Sequence, residues 1–171
     1  AAGLDAASAV FDYLGVDCET TVAAGGRIEA GDALLEVEGE AASVLRGERV
    51  AVNVAGHSSG VATATRRAVD LAREVSDEVA IAGTRKTTPG LRGVEKRAIA
   101  AGGGDTHRLT LSGMVMVKDN HVAEMGLEEA ILHFREEKSF ASKIGVEVER
   151  PAAARRAAEA GADIVLLDNM T

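Results

Sequence analysis

The sequence predicts an α/β protein whose later part is an open (β/α) barrel. Three observations carry that expectation. From Glu78 onward, short apolar runs alternate with stretches of helical period. Strand–helix alternation of this length implies parallel strands joined by right-handed crossovers. In the run Ile144–Val148, Ile144, Val146 and Val148 share one face, while Gly145 and Glu147 share the other with Glu149 beyond them. A parallel strand of a doubly wound sheet is apolar on both faces; a barrel strand can turn carboxylates toward the mouth of the barrel. Finally, 46% of the 171 residues are hydrophobic and 27% charged, which suits a packed globular core and not a disordered chain.

The elements follow in order. Residues 1–14 read as a short helix with Asp5, Ser8 and Asp12 on its outer side. Gly25-Gly26-Arg27 and Gly31-Asp32 are turns, and residues 33–37 form a strand ending at Gly39. Residues 41–54 have helical spacing, with Val44, Leu45, Val50 and Val52 as the expected core. The stretch from Gly56 to Gly60 reads as an interruption before a second helix over residues 61–75. Residues 79–82 form a short strand, followed by a Thr/Pro/Gly loop. A helix over residues 94–101 is stopped by Gly102-Gly103-Gly104. Residues 114–117 form a strand, and residues 127–134 a helix with Leu127, Ile131 and Phe134 on one face. Residues 144–148 are a strand, and residues 151–160 an Ala-rich helix with Pro151 at its start and Gly161 past its end. Residues 164–167 make a fourth strand. Four strands do not close a barrel, and the first residue is Ala1 rather than Met, so a fragment or processed chain is expected.

Composition excludes several function classes. A lone Cys18 excludes a disulfide scaffold and a multi-cysteine zinc site, and suits a reducing compartment. No apolar run approaches the ~18 residues of a membrane span, and the start shows no signal-peptide pattern. A cytoplasmic protein without membrane partners is expected. Aromatic residues are 2% with no Trp, which argues against a base-stacking nucleic-acid surface. The net charge is −8, yet residues 84–121 hold seven Lys/Arg against three acids. A basic island in an acidic chain invites an anionic ligand. Arg92, Lys96 and Arg97 read as a solvated helix face. Arg85, Lys86, Arg108 and Lys118 instead stand near Gly and Pro, at the ends of apolar runs.

Barrels carry their active groups at the C-terminal ends of strands. Those ends deliver Thr84-Arg85-Lys86-Thr87-Thr88-Pro89-Gly90, then Lys118-Asp119-Asn120-His121, then Glu147 and Glu149, then Asp168-Asn169. The loop before the second strand holds Asp105-Thr106-His107-Arg108. Several cations and at least two carboxylates are expected on one rim. Guanidinium forks bind carboxylates bidentately, and ammonium groups act as point charges. Carboxylates suit hydroxyls or Mg2+. Glu149 reads as structural. By themselves, Lys86 and Lys118 would also suit a Schiff-base aldolase on the same scaffold.

Taken together, these stretches resemble the quinolinate phosphoribosyltransferase family, the carboxylating nicotinate-nucleotide pyrophosphorylases. Residues 84–92, 102–108, 118–121, 146–149 and 161–170 match it in order and spacing. So do Gly47-Glu48-Arg49-Val50-Ala51-Val52-Asn53 and Ser59-Gly60-Val61-Ala62-Thr63. The resemblance implies residues 1–60 as part of an N-terminal α/β sandwich domain and residues 61–171 as the first part of an open α/β barrel. It implies transfer of a phosphoribosyl group from phosphoribosyl pyrophosphate (PRPP) to quinolinate with decarboxylation. The products are nicotinate mononucleotide, pyrophosphate and CO2, in NAD biosynthesis.

On the same resemblance, Arg85, Arg108 and Lys118 correspond to quinolinate-binding cations, with Lys86 and His107 beside them. Arg49 corresponds to an arginine that reaches into a neighbouring subunit's site, which implies a homodimer. Glu147 and Asp168 correspond to carboxylates that hold the ribose hydroxyls and Mg2+. The catalytic set is then Lys86, Lys118, Glu147 and Asp168. The chain stops before the family's 5′-phosphate loops, so the alternative is a remnant that binds the anionic substrate only. Ser58 stands where the family is usually apolar, His57 where it is often basic, and Gly83 for a commoner Asp or Ala. These three read as packing changes.

Overall fold

Helix α1 (Leu4–Tyr13) buries Leu4, Ala7 and Phe11 and turns Asp5 and Asp12 to solvent, as its spacing predicts. It packs against α2 (Ala41–Arg73), and here the structure departs from the sequence reading. The computed structural model, which describes residues 1–169, shows α2 as one helix of 33 residues with no break at Gly56 to Gly60. A glycine costs a helix interior about 1 kcal/mol, a local penalty that packing overrides.

The buried line of α2 is Gly47, Ala51, Ala55, Ser58, Ala62 and Val69, almost all small. A Cβ on Gly47 would lie 3.0 Å from the Phe11 ring, and one on Gly3 would lie 2.3 Å from Ser58 Oγ. Close approach of α1 therefore selects the small face. The expected core is corrected accordingly. Leu45 is 69% exposed, Val50 and Val52 are also exposed, and only Val44 of the four packs against the core. Ser58 is fully buried and donates to the Val54 carbonyl at 2.7 Å, which satisfies its hydroxyl inside the helix.

Strands β1 (Asp17–Thr20) and β2 (Leu35–Glu38) pair antiparallel, Cys18 opposite Val37. β1 was not foreseen, because three of its four residues are polar and exposed. Helix α3 (Arg92–Ala101) ends at Gly102 and Gly103, the latter at φ +86°. The expected strand at residues 79–82 reduces to a single parallel bridge, Ala82 with Asp105. Asp105 N–H donates to the Ile81 carbonyl at 2.7 Å, and Gly83 N–H to the Asp105 carbonyl at 2.8 Å. The partner segment leaves the Gly102–Gly104 turn for only this contact, so no longer ladder forms.

A second unit begins at Thr110. Strands β3 (Val115–Val117), β4 (Ile144–Val148) and β5 (Ile164–Leu167) form a parallel sheet in that order. Val117 stands opposite Val146, and Glu147 opposite Leu166. Ile144, Val146 and Val148 are buried, as their alternation predicts. Helices α5 (Leu127–Glu137) and α6 (Pro151–Glu159) close the core with Leu127, Ala130, Ile131 and Ala157. Between β3 and α5 lies an unforeseen helix, α4 (Asp119–Met125), where the sequence reading has only a strand-end segment. His121 Nδ1 accepts the Lys118 N–H at 3.1 Å, so the first turn is closed by a side chain that hydropathy does not reveal. Strand–helix alternation around a parallel sheet is thus present, and the three strands form part of an open barrel. Met170, the last residue of the matched stretch 161–170, and Thr171 lie outside the described residues.

Candidate active site

In the first unit the predicted cations stand on two adjacent arms. The arms run side by side through the Ala82–Asp105 bridge, and each then turns. Thr84 Oγ1 accepts the Lys86 N–H at 3.1 Å on one arm. Asp105 Oδ1 accepts the His107 N–H on the other, and His107 adopts φ +56° there. Hydroxyl and carboxylate side chains that bond the backbone two residues on are turn formers. Arg85 and Arg108 leave these turns half-buried; Lys86 and His107 are exposed. The Arg85 Nε is buried with no hydrogen-bond partner among the described residues. Burial, and secondarily the neighbouring Arg85 charge, pushes Arg108 below its ordinary value. Two guanidiniums that repel each other, one with a buried donor unused, favour an anion between or beside them.

Helix α3 supports both arms. Arg92 donates to Thr87 Oγ1 at 3.2 Å, to the Arg85 carbonyl at 3.3 Å and to the Leu109 carbonyl at 3.5 Å. Glu95 Oε2 accepts the Thr88 N–H at 3.2 Å, and its Oε1 lies 2.8 Å from His57 Nε2. The hydrogen bond from Thr88, then that from His57, holds the Glu95 carboxyl below its usual range against the opposing effect of burial. Lys96 is 4% exposed, and its Nζ donates to the carbonyls of Gly83 and Thr106.

The solvated-face reading of Arg92, Lys96 and Arg97 is therefore corrected. Only Arg97 is exposed, paired with Asp5. Lys96 and Arg92 turn inward because backbone carbonyls of both arms lie within their reach. Sequence reasoning missed Glu95 and Lys96. One signal was available for Glu95, which shares an inward line with Ala98 and Gly102 at helical spacing. His57, for which only packing was expected, ties α2 to this carboxylate.

Arg49 lies on an exposed part of α2, loosely beside Glu48 at 3.6 Å. In the second unit, Lys118, Glu147 and Asp168 line one cleft of about 510 Å³, with Asp119, Glu149 and Arg150 at its wall. Lys118 follows β3, Glu147 lies near the end of β4 and Asp168 follows β5. Adjacent parallel strands thus present all three at their C-terminal ends. Lys118 Nζ donates to Glu147 Oε2, and Asn169 Nδ2 donates to Asp168 Oδ2 at 3.0 Å. The Asp168 N–H donates to the Val148 carbonyl at 2.9 Å, which extends the β4–β5 ladder to this residue.

No group of three or more His, Cys, Asp or Glu side chains that could hold a metal occurs among the described residues. Glu147 and Asp168, two of the four carboxylates that line this cleft, fit the donor set of Mg2+, which takes one or two protein carboxylates and completes its shell with water and substrate phosphates. A cleft of similar size, the apolar one of about 480 Å³ near Phe11, Leu34 and Val52, carries no comparable charged cluster. No helix among the described residues is long and apolar enough to cross a membrane.

Comparison with known proteins matches both parts of the chain. Residues 1–59 match the model described as quinolinate phosphoribosyl transferase, N-terminal domain, and residues 61–171 the model of its C-terminal domain. The chain is 50% identical over 148 residues to a probable carboxylating nicotinate-nucleotide pyrophosphorylase of Methanothermobacter thermautotrophicus, covering 86% of this chain and 53% of that protein. It is 44% identical over 162 residues to the carboxylating nicotinate-nucleotide pyrophosphorylase of Homo sapiens, covering 94% and 54%. The solved nicotinate-nucleotide pyrophosphorylase of Francisella tularensis aligns with a TM-score of 0.91 at 31% identity, covering 99% of this chain and 60% of that one. The chain therefore spans between half and two thirds of the length of these relatives.

Proposed function

The chain belongs to the quinolinate phosphoribosyltransferase family, and from that premise we propose that it binds quinolinate and takes part in its phosphoribosylation by PRPP. The observation that carries the reading is the Arg85–Arg108 pair, with its mutual repulsion and its buried, unused Nε–H. Quinolinate carries two adjacent carboxylates, and two fixed guanidiniums are the complement such a dianion needs. Lys86 and His107, exposed beside them, add cationic and hydrogen-bonding capacity.

In the reaction the pyridine nitrogen bonds to the ribose anomeric carbon as the bond to pyrophosphate breaks. The carbon is cation-like in between. Glu147 and Asp168, as fixed carboxylates in one cleft, stabilise that charge without forming a bond. Lys118, paired with Glu147, orients that carboxylate and contributes a cation for the substrate. Decarboxylation then releases CO2 and leaves an electron pair on the ring carbon next to the positive nitrogen. Lys86 and Lys118 are the cations assigned to favour that state before a proton replaces the lost carboxylate. Glu147 and Asp168 would hold Mg2+, which when bound offsets the charge of the departing pyrophosphate.

The reading includes a cytoplasmic homodimer in which Arg49 serves the neighbouring subunit; its exposure and loose pairing leave its guanidinium available. A Schiff-base aldolase is disfavoured for Lys86, because a nucleophilic lysine needs a desolvated pocket and Lys86 is exposed. Calorimetric titration of the folded chain with quinolinate, against nicotinate as the single-carboxylate control, tests the proposal. Selective binding of quinolinate supports it. A folded chain that ignores quinolinate removes it.

A further inference from the structure

Lys96 is an unusual residue to bury. Its side chain is unbranched, charged and almost wholly covered, and lysine is rarely buried without a partner. Its donors go to main chain: the Gly83 carbonyl at 3.0 Å and the Thr106 carbonyl. Gly83 stands two residues before Arg85, and Thr106 two residues before Arg108. The same two arms are joined on their upstream side by the Ala82–Asp105 bridge. One ammonium therefore spans the last point at which the arms run together, at equal chain distance from each arginine. Arg92, one turn earlier on α3, touches the arms further along, at the Arg85 and Leu109 carbonyls.

We propose that Lys96 is a positioning residue that sets the spacing between the Arg85 and Arg108 guanidiniums, and so the preference for a ligand with two adjacent carboxylates over one with a single carboxylate. The proposal rests on the reading of Arg85 and Arg108 as the quinolinate-binding pair. Lys96 itself touches no ligand in this scheme. Two carbonyls that face each other repel, and a shared ammonium converts that repulsion into a fixed separation. Without it, each arm keeps its own turn, through Thr84 or Asp105, and the spacing between the turns is held only by the upstream bridge and by Arg92 further along, so it loosens where Lys96 stood.

The test is Lys96→Met, which keeps the length and apolar stem but removes every donor, with Arg97→Ala on the exposed side of the same helix as control. Circular dichroism and thermal melting establish that each variant is folded. Two readouts are taken. The first is the ratio of quinolinate to nicotinate affinity by calorimetry. The second, independent of any ligand, is the rate of solvent exchange at the Arg85 Nε–H by NMR. Lys96→Met, which loses both charge-assisted hydrogen bonds, should lower the affinity ratio and accelerate the exchange by at least about tenfold each, the low end of the scale for a single such bond. Arg97→Ala should change neither. A folded Lys96→Met variant with both readouts unchanged overturns the proposal. If the unsubstituted chain does not bind quinolinate, the functional reading falls and the Nε–H exchange alone decides whether Lys96 holds the arms. If Lys96→Met does not fold, Lys96→Gln, which keeps a donor for one carbonyl, is read by the same two measurements: a partial effect supports the proposal and no effect overturns it.

Discussion

Replacing Glu95 by Gln isolates the tie between α3 and the loop that carries Arg85 and Lys86. Glu95 is nearly buried, accepts the Thr88 N–H at 3.2 Å and lies 2.8 Å from His57 Nε2. The amide keeps the shape but offers one acceptor in place of two. One charge-assisted hydrogen bond is lost, worth about 1.5–3 kcal/mol at neutral pH. The Thr88 amide should then exchange with solvent about 10- to 100-fold faster than in the parent chain. The effect has a defined pH dependence. The folded-state carboxyl is held below its ordinary value of 4.5, so the folded state favours the ionised form. Its contribution is fully present above about pH 4.5 and is lost as the pH falls through the depressed folded value. Hydrogen exchange measured by NMR at neutral pH and again at about pH 3.5 should therefore show a large gap that narrows with acid. A gap of the same size at both pH values would mean that ionised Glu95 is not what holds Thr88. No gap at neutral pH would remove the tie altogether.

Arg108→Ala should weaken quinolinate binding by about 2–5 kcal/mol, since one carboxylate is left without its cation; near-native affinity by calorimetry would take Arg108 out of the site. Asp168→Asn should spare quinolinate binding and impair PRPP use, measured in a full-length enzyme carrying the same change. Equal loss of both would make Asp168 structural. Ile131→Ala, at a fully buried position of the second core, should cost about 2–5 kcal/mol in urea unfolding of that unit, and a loss under ~1 kcal/mol would mean the site collapses around the gap.

Much of the second unit was legible in the sequence. The β4 and β5 spans were read to the residue, because β4 alternates apolar with small or charged residues and β5 is a short apolar run, each set off by turn or polar residues. Pro151 and Gly161 bracketed α6 for a local reason, a fixed φ at the start and a left-handed residue at φ +94° past the end. Lys118, Glu147 and Asp168 were placed at strand ends by the same rhythm, and one cleft does collect them. Arg85 and Arg108 were singled out as cations outside a helical face, and both are half-buried on adjoining arms.

Other features depended on partners distant in the chain. Gly56 and Gly60 look like helix breakers by propensity, yet α2 runs through them because its small side is the one that lets α1 close on it. Hydropathy put Leu45, Val50 and Val52 inside, whereas the contact is decided by how near two backbones can come. The strand at residues 79–82 needed a partner of its own length and met a single residue of one.

The sequence by itself carried the resemblance to the family in its ordered motifs, and its local spacing determined the alternating architecture and the charged residues at the ends of β3, β4 and β5. Only the tertiary structure decided which charges are buried. Lys96 and Arg97 are adjacent in sequence, yet one binds carbonyls from residues 83 and 106 while the other faces solvent. Burial of a charge depends on whether the fold brings partners to it, and no local pattern records partners that arrive from two separate loops.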